Sequence, residues 1–286
     1  MRPLFFGLLL LLPGIASPAH SSEPVSLHEL FEPYAAVLEA HLGEVDLGHD
    51  GLISAFDYDA ALADPDTAER LSEQRDRLAD FSPDALTQRE TAIAFWLNAY
   101  NFFMIAHILE ERPEGELVES VWDYGGRFNP FRANVFEREL FRIGEGDYSL
   151  DNMEKDILLG EDYQDRGWKD ARVHFAVNCA SVGCPPLRQV IYTADNVDDL
   201  LEENTRRAFN TPYQLRVDGN TLYLTSLFDW YEDDYREEAG SIRSYIEQHA
   251  DERVRNLIRD TERIRFIDYD WRLNRPENFA EWPAED

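Results

Sequence analysis

The chain contains two cysteines, Cys179 and Cys184, and both lie in the stretch HFAVNCASVGCPPL from His174 to Leu187. Three chemistries fit such a pair. A disulfide would close a small loop in which Gly183 supplies turn freedom, and its stabilisation would be modest because little denatured-state entropy is removed. Zinc is weaker, since a structural site needs a second pair of ligands and no other cysteine exists. A nucleophilic Cys179 needs an imidazole to take its proton and a group to orient that imidazole. His174 is the nearest imidazole. If the apolar run ARVHFAVNCA is a buried strand, His174 and Cys179 point to opposite faces unless the chain turns or bulges near Asn178. His107 is an alternative, but it sits among Phe103, Met104 and Ile108, where a packed histidine is expected. Glu154, just inside a short helix with apolar neighbours, could orient His174 or act as an acid.

Other candidates accompany these. Asn98 and Asn101 are three apart on an otherwise apolar helix and so share one face. Buried amides must be hydrogen-bonded, either to core backbone or to a ligand and an oxyanion, which makes Asn98 the oxyanion candidate and Asn101 a binding candidate. Trp96 and Tyr100, on the other face, read as core, as do Trp230, Tyr231 and Trp271. Trp230, beside Asp229, Asp233 and Asp234, could also line a cleft mouth. Asp46, Asp50, Gly51 and Asp57 occupy positions of a calcium loop, but Gly48 replaces an oxygen ligand and Asp57 is short for the closing position, so a plain Asp-Gly turn is favoured. No metal and no cofactor is expected.

The elements that must position these residues follow from periodicity. A helix over residues 26–42, with Ser26 and Glu29 as a capping box, kinks near Pro33; a turn and a short strand at 52–56 lead into more helix, and residues 63–81 form a charged helix. Residues 89–113 are apolar nearly all round and predict a central buried helix. A short helix at 148–160, a buried strand at 171–180, a helix at 195–210, a hairpin about Asp218-Gly219-Asn220, a helix at 240–258 and a strand at 262–274 complete the pattern. The irregular order favours α+β, a mixed sheet packed against the central helix, in one domain over residues 22–286.

The first 21 residues read as a secretory signal, with one Arg, an apolar run from Leu4 to Leu12 and small residues near Ala19 and Ser21. No later stretch is read as a membrane span, and the mature protein is expected in the periplasm or secreted, where a disulfide is permitted. The chain carries 27 basic against 57 acidic residues, and Lys155 and Lys169 are its lysines. Nucleic acid and anionic membranes are poor partners for such a surface. The acidic, Arg-rich composition fits a high-salt habitat and equally a GC-rich genome.

FWLNAYN (Phe95 to Asn101), SLDNMEKDIL (Ser149 to Leu158), HFAVNCASVGCPPL, LTSLFDWYEDDY (Leu224 to Tyr235) and IDYDWRLN (Ile267 to Asn274) resemble, in order and spacing, the family called domain of unknown function 547. The resemblance covers about residues 89–274. It implies a distant relation to the papain and transglutaminase-like cysteine hydrolases. Where the family often has His and Arg, this chain has Lys155 and Leu159. Two functions follow as expectations. One is a cysteine-dependent hydrolase or acyl transferase acting on a peptide, amide or thiol compound, with Cys179 attacking, His174 taking the proton, Glu154 orienting it and Asn98 at the oxyanion. The other is an extracytoplasmic domain that binds a small molecule or peptide without turnover, with a structural Cys179–Cys184 disulfide. The oligomeric state is left open.

Overall fold

Ser26 accepts a hydrogen bond from the Glu29 N–H and caps α1 (Leu27–Leu30). The chain breaks at Phe31, and α2 (Glu32–His41) restarts with Pro33 in its first turn, where no amide proton is needed. These elements belong to a computed structural model that describes residues 26–125 and 133–283; the expected signal over residues 1–21 lies outside the described residues. Helix α2 ends one residue earlier than expected, because Leu42 opens β1 (Leu42–Gly48), which pairs antiparallel with β2 (Gly51–Phe56). The turn between them carries positive φ at Gly48, His49 and Asp50. It is a hairpin turn, not a calcium loop. Asp46 accepts the Gly48 N–H at 2.6 Å, Asp50 pairs with Arg206 at 2.7 Å, and Asp57 caps α3 (Tyr58–Ala63) through the Ala60 N–H.

After α4 (Pro65–Ala79) comes α5 (Arg89–Glu110), whose residues from Ala92 to Leu109 are all buried. Contrary to the expectation that no later stretch has the length and composition of a membrane span, α5 has both, but its apolar stretch is enclosed by the rest of the protein. A hairpin of β3 (Phe141–Ile143) and β4 (Gly146–Tyr148) leads to the short helix expected next. That helix is a π-helix, Asn152–Leu158, entered by a turn in which Ser149 accepts the Asn152 N–H at 3.0 Å and closed by the Leu159 N–H on the Glu154 carbonyl at 2.9 Å. Such wide turns are uncommon and cluster at functional sites. Helix α6 (Glu161–Asp165) follows Gly160.

The largest departure from expectation is at residues 171–180. No strand forms there. Ala171–Phe175 is a 3-10 turn capped by Asp170, and the chain then runs as a buried loop. Its peptide groups bond to side-chain amides in place of a neighbouring strand. Asn101 donates to the Ala176 carbonyl at 3.0 Å and accepts the Asn178 N–H at 2.8 Å. Asn98 does the same for Tyr192, donating at 2.7 Å and accepting at 2.9 Å. Asn204 donates to the carbonyls of Phe175 and Pro186, and Asn178 donates to Pro185 at 2.8 Å while accepting the Ala180 N–H at 2.9 Å. An apolar run bounded by turn residues looks the same in sequence whether a strand or an amide satisfies its backbone.

Helix α7 (Val197–Phe209) precedes the mixed sheet, where β5 (Leu215–Asp218) pairs antiparallel with β6 (Thr221–Thr225), and β6 pairs parallel with β7 (Arg263–Ile267). Between β6 and β7 lie α8 (Leu227–Trp230), α9 (Glu232–Ala239), α10 (Ile242–His249) and α11 (Glu252–Ile258). The late helix expected in one piece is therefore two, divided at Ala250 and restarted by the Asp251 cap. The closing strand ends at Ile267; beyond it, Arg272 and Leu273 make single bridges to Ser120 and Ser181. The fold is α+β with a buried central helix. Helix α5 anchors one apolar cluster, while the mixed sheet packs with Phe175, Phe209, Tyr235 and Tyr245 in a second.

The amide clamp is testable. Replacing Asn101 by Ala strands a buried carbonyl and a buried N–H, and is expected to cost roughly 2–4 kcal/mol of stability in urea unfolding. An unchanged urea midpoint would show that the clamp is dispensable.

Candidate functional site

The loop, the π-helix and the segments around α8 and after β7 enclose a cavity of about 510 Å³. Cys179 and Cys184 form part of its wall and are bonded to each other, with Cα atoms 6.2 Å apart. The Tyr269 hydroxyl lies over them, 3.2 Å from the Cys179 sulfur and 3.3 Å from that of Cys184. It can come this close because position 183 is glycine: a Cβ there would lie 3.0 Å from the Tyr269 ring.

One side of the cavity is aromatic. Phe136, Trp122 and Trp271 meet edge to face at centroid distances of 5.7 and 5.0 Å, and Trp271 continues onto Trp230 at 5.7 Å and Tyr269 at 4.5 Å. Trp230 is 47 % exposed and forms the rim. Carboxylates supply the opposing chemistry: Glu137, Asp151 and Glu154 all line the cavity, with Lys155 and His174 as the cationic side chains among the described residues. Lys155 is tied to Asp151 at 2.8 Å. Burial raises the Asp151 carboxyl pKa, a shift that Lys155 opposes and Glu154 reinforces.

His174 is buried between two carboxylates. Its Nε2 meets Asp234 at 2.8 Å, and Nδ1 faces Glu154 at 3.7 Å, an ion-pair separation too long for a hydrogen bond. Tyr231 stacks on the ring at 4.0 Å. Burial alone would depress the imidazole pKa, but Asp234 and Glu154 outweigh it and hold the pKa above its ordinary value. Asp234 is shared with Lys169, 2.8 Å away; burial opposes its ionisation, but His174 and Lys169 keep its pKa below the usual carboxylate value.

The structure therefore gathers Cys179, Cys184, His174, Glu154 and Trp230 around one cavity. The opposite-face expectation for His174 and Cys179 lapses with the strand on which it rested. Asn98 and Asn101 are elsewhere: both are buried, and their amides are taken up by loop backbone, so neither is placed to serve an oxyanion or a ligand. His107 packs against Tyr124 and Phe141, where burial lowers its pKa to about 4. The sequence reading missed Tyr269, and Asp234 as the partner of His174. Both lie within the quoted IDYDWRLN and LTSLFDWYEDDY motifs, the only available signal, and nothing local distinguishes them from core aromatics and surface acids.

Residues 83–208 match the family described as "Protein of unknown function, DUF547". Over these residues the chain is similar to that family. The DUF547 segment contains α5, the π-helix, both cysteines and α7, whereas Trp230, Tyr231, Asp234, Tyr269 and Trp271 lie beyond it. No curated protein and no solved structure matches the chain.

The imidazoles predict how stability varies with pH. Burial lowers the His107 pKa, so as pH falls below about 6.5 the unfolded chain takes up a proton that the folded one refuses, and stability falls. The raised pKa values of His174 and His249 act in the other direction: above about pH 6.5 the unfolded chain releases protons that the folded one keeps, and stability declines as pH rises through the folded values. Urea midpoints at about pH 5, 6.5 and 8 should therefore peak at the middle value, and His174→Gln should flatten the alkaline limb. A wild-type midpoint that rises steadily to pH 8 would contradict the charge state assigned to His174.

Proposed function

We propose that the protein binds a small cationic ligand, or a cationic group of a peptide, in this cavity, and that it works in an oxidising compartment outside the cytoplasm. The observation that carries the reading is the pairing of an aromatic wall with Glu137, Asp151 and Glu154. Aromatic faces attract cations by about 0.5–2 kcal/mol each, and carboxylates lining the same space add a second attraction. The cavity volume of about 510 Å³ suits a small molecule. A net charge of −30 draws cations and repels anions at longer range. The signal-like first 21 residues and the Cys179–Cys184 bond support the compartment.

A cysteine-dependent hydrolase or acyl transferase is the second reading, favoured by Cys179, His174 and Glu154 lining one cavity. It fits the distant papain-like relation that the motifs imply. It requires the disulfide to open first, and it requires His174 to lose the proton that Asp234 and Glu154 favour. An imidazolium cannot act as a base.

Titrating the tryptophan fluorescence with benzyltrimethylammonium, and separately with benzoate, distinguishes the charge preference. The cation should give a saturable change that Glu154→Gln weakens about tenfold, equivalent to about 1.4 kcal/mol, while benzoate should give none. Equal or tighter binding of benzoate, or an unaltered response in the variant, would refute the cation site.

A further inference from the structure

We propose that Cys179–Cys184 is a thiol-exchanging disulfide of fixed polarity, in which Cys179 receives an incoming thiolate and Cys184 departs as the protein thiolate. The asymmetry lies in the hydrogen bonds. The Cys184 sulfur accepts the N–H of Cys179 at 3.0 Å, the N–H of Ser181 at 3.4 Å and the hydroxyl of Tyr269 at 3.3 Å. The positive φ of Ala180 turns the chain between the two amides that converge on that sulfur. No backbone N–H is directed at the Cys179 sulfur among the described residues; its neighbours are the Tyr269 and Ser181 hydroxyls, at 3.2 and 3.7 Å. Exposure follows the same order, since Cys184 is 7 % exposed and Cys179 is half-buried at the cavity wall.

Hydrogen bonds to a sulfur strengthen when it becomes anionic, and a better stabilised thiolate is a faster leaving group. The reductant is a small thiol compound able to enter the cavity. Its thiolate attacks the Cys179 sulfur, a new S–S bond forms between them, and the electron pair of the Cys179–Cys184 bond passes to Cys184. A second molecule of the thiol attacks the sulfur of the first, releasing their mutual disulfide and the Cys179 thiolate. Two thiols are oxidised and one protein disulfide is reduced, and the protons of the two thiols balance those taken up by the cysteines. This exchange does not require the cation proposed above, so either proposal can fail alone.

The test uses the full protein and 2-mercaptoethanol. Acid quenching during reduction, followed by peptide mass mapping, should find the mixed disulfide on Cys179 in at least about tenfold excess over Cys184. In Cys179→Ala, alkylation of Cys184 by iodoacetamide should have a midpoint well below pH 8.5, the ordinary thiol value of about 8.5, and adding Tyr269→Phe should move it upward. Adducts on Cys184, a midpoint at or above the ordinary value, or a bond that 2-mercaptoethanol leaves intact in the folded protein would each overturn the proposal. The adduct map needs no variant, so it decides the polarity even if Cys179→Ala fails to fold.

Discussion

The site depends on asparagine side chains holding a buried loop. A backbone segment enclosed by protein must find partners for its N–H and C=O groups, and most segments solve this by becoming helix or strand. Residues 176–192 do neither, apart from the single bridge of Ser181 to Leu273. Asn98 and Asn101 from α5 and Asn204 from α7 pair with their peptide groups, and Asn178 pairs with the loop itself. Asn274, from the far end of the chain, donates to Asn178 at 3.1 Å and accepts the Tyr58 hydroxyl at 2.8 Å. The position of both cysteines therefore follows from two helices and a C-terminal segment, and not from the loop's own conformational preference.

Charge in the cavity is arranged on the same principle of local satisfaction. His174 is fully enclosed, yet it carries a proton readily because Asp234 and Glu154 flank it, and Asp234 is in turn shared with Lys169. A buried charge with one partner removed is costly, so these groups hold one another in place. The consequence for chemistry is that His174 is better suited to donating a proton or fixing a carboxylate than to accepting a proton from a thiol.

Much of this architecture could be read from residue order, and the failures have physical causes. The central helix was legible because its apolar residues are too continuous for any surface helix, and the hairpin at Gly219 because that position needs the positive φ it shows. Ser26 is a cap and Ser149 a turn former, and the chemistry of both is local. The strand expected at 171–180 failed because side chains distant in the chain bond its backbone, Asn101 lying 75 residues from Ala176 and Asn204 29 residues from Phe175. Asn98 was legible as a buried amide but not as a clamp, since the choice between backbone and ligand depends on what folds against it. Cys179, His174, Glu154 and Trp230 do converge, although the strand geometry used to relate two of them was mistaken. Tyr269 was invisible because its role is positional: a phenol gains meaning here only by lying over two sulfurs 85 and 90 residues earlier in the chain.

The cavity is assembled from both sides of residue 208, where the family match ends. A fragment stopping there would keep both sulfurs, Glu154 and His174, but it would lack the Asp234 carboxylate that neutralises the imidazolium and the phenol that covers the disulfide. It would also expose Phe175, whose cluster is completed by Phe209, Phe228, Tyr235 and Tyr245. The end of the family match is thus not a boundary of the folding unit. In a chain of this kind, the C-terminal part can diverge in sequence only as far as it continues to return one acid and one phenol to the same two places.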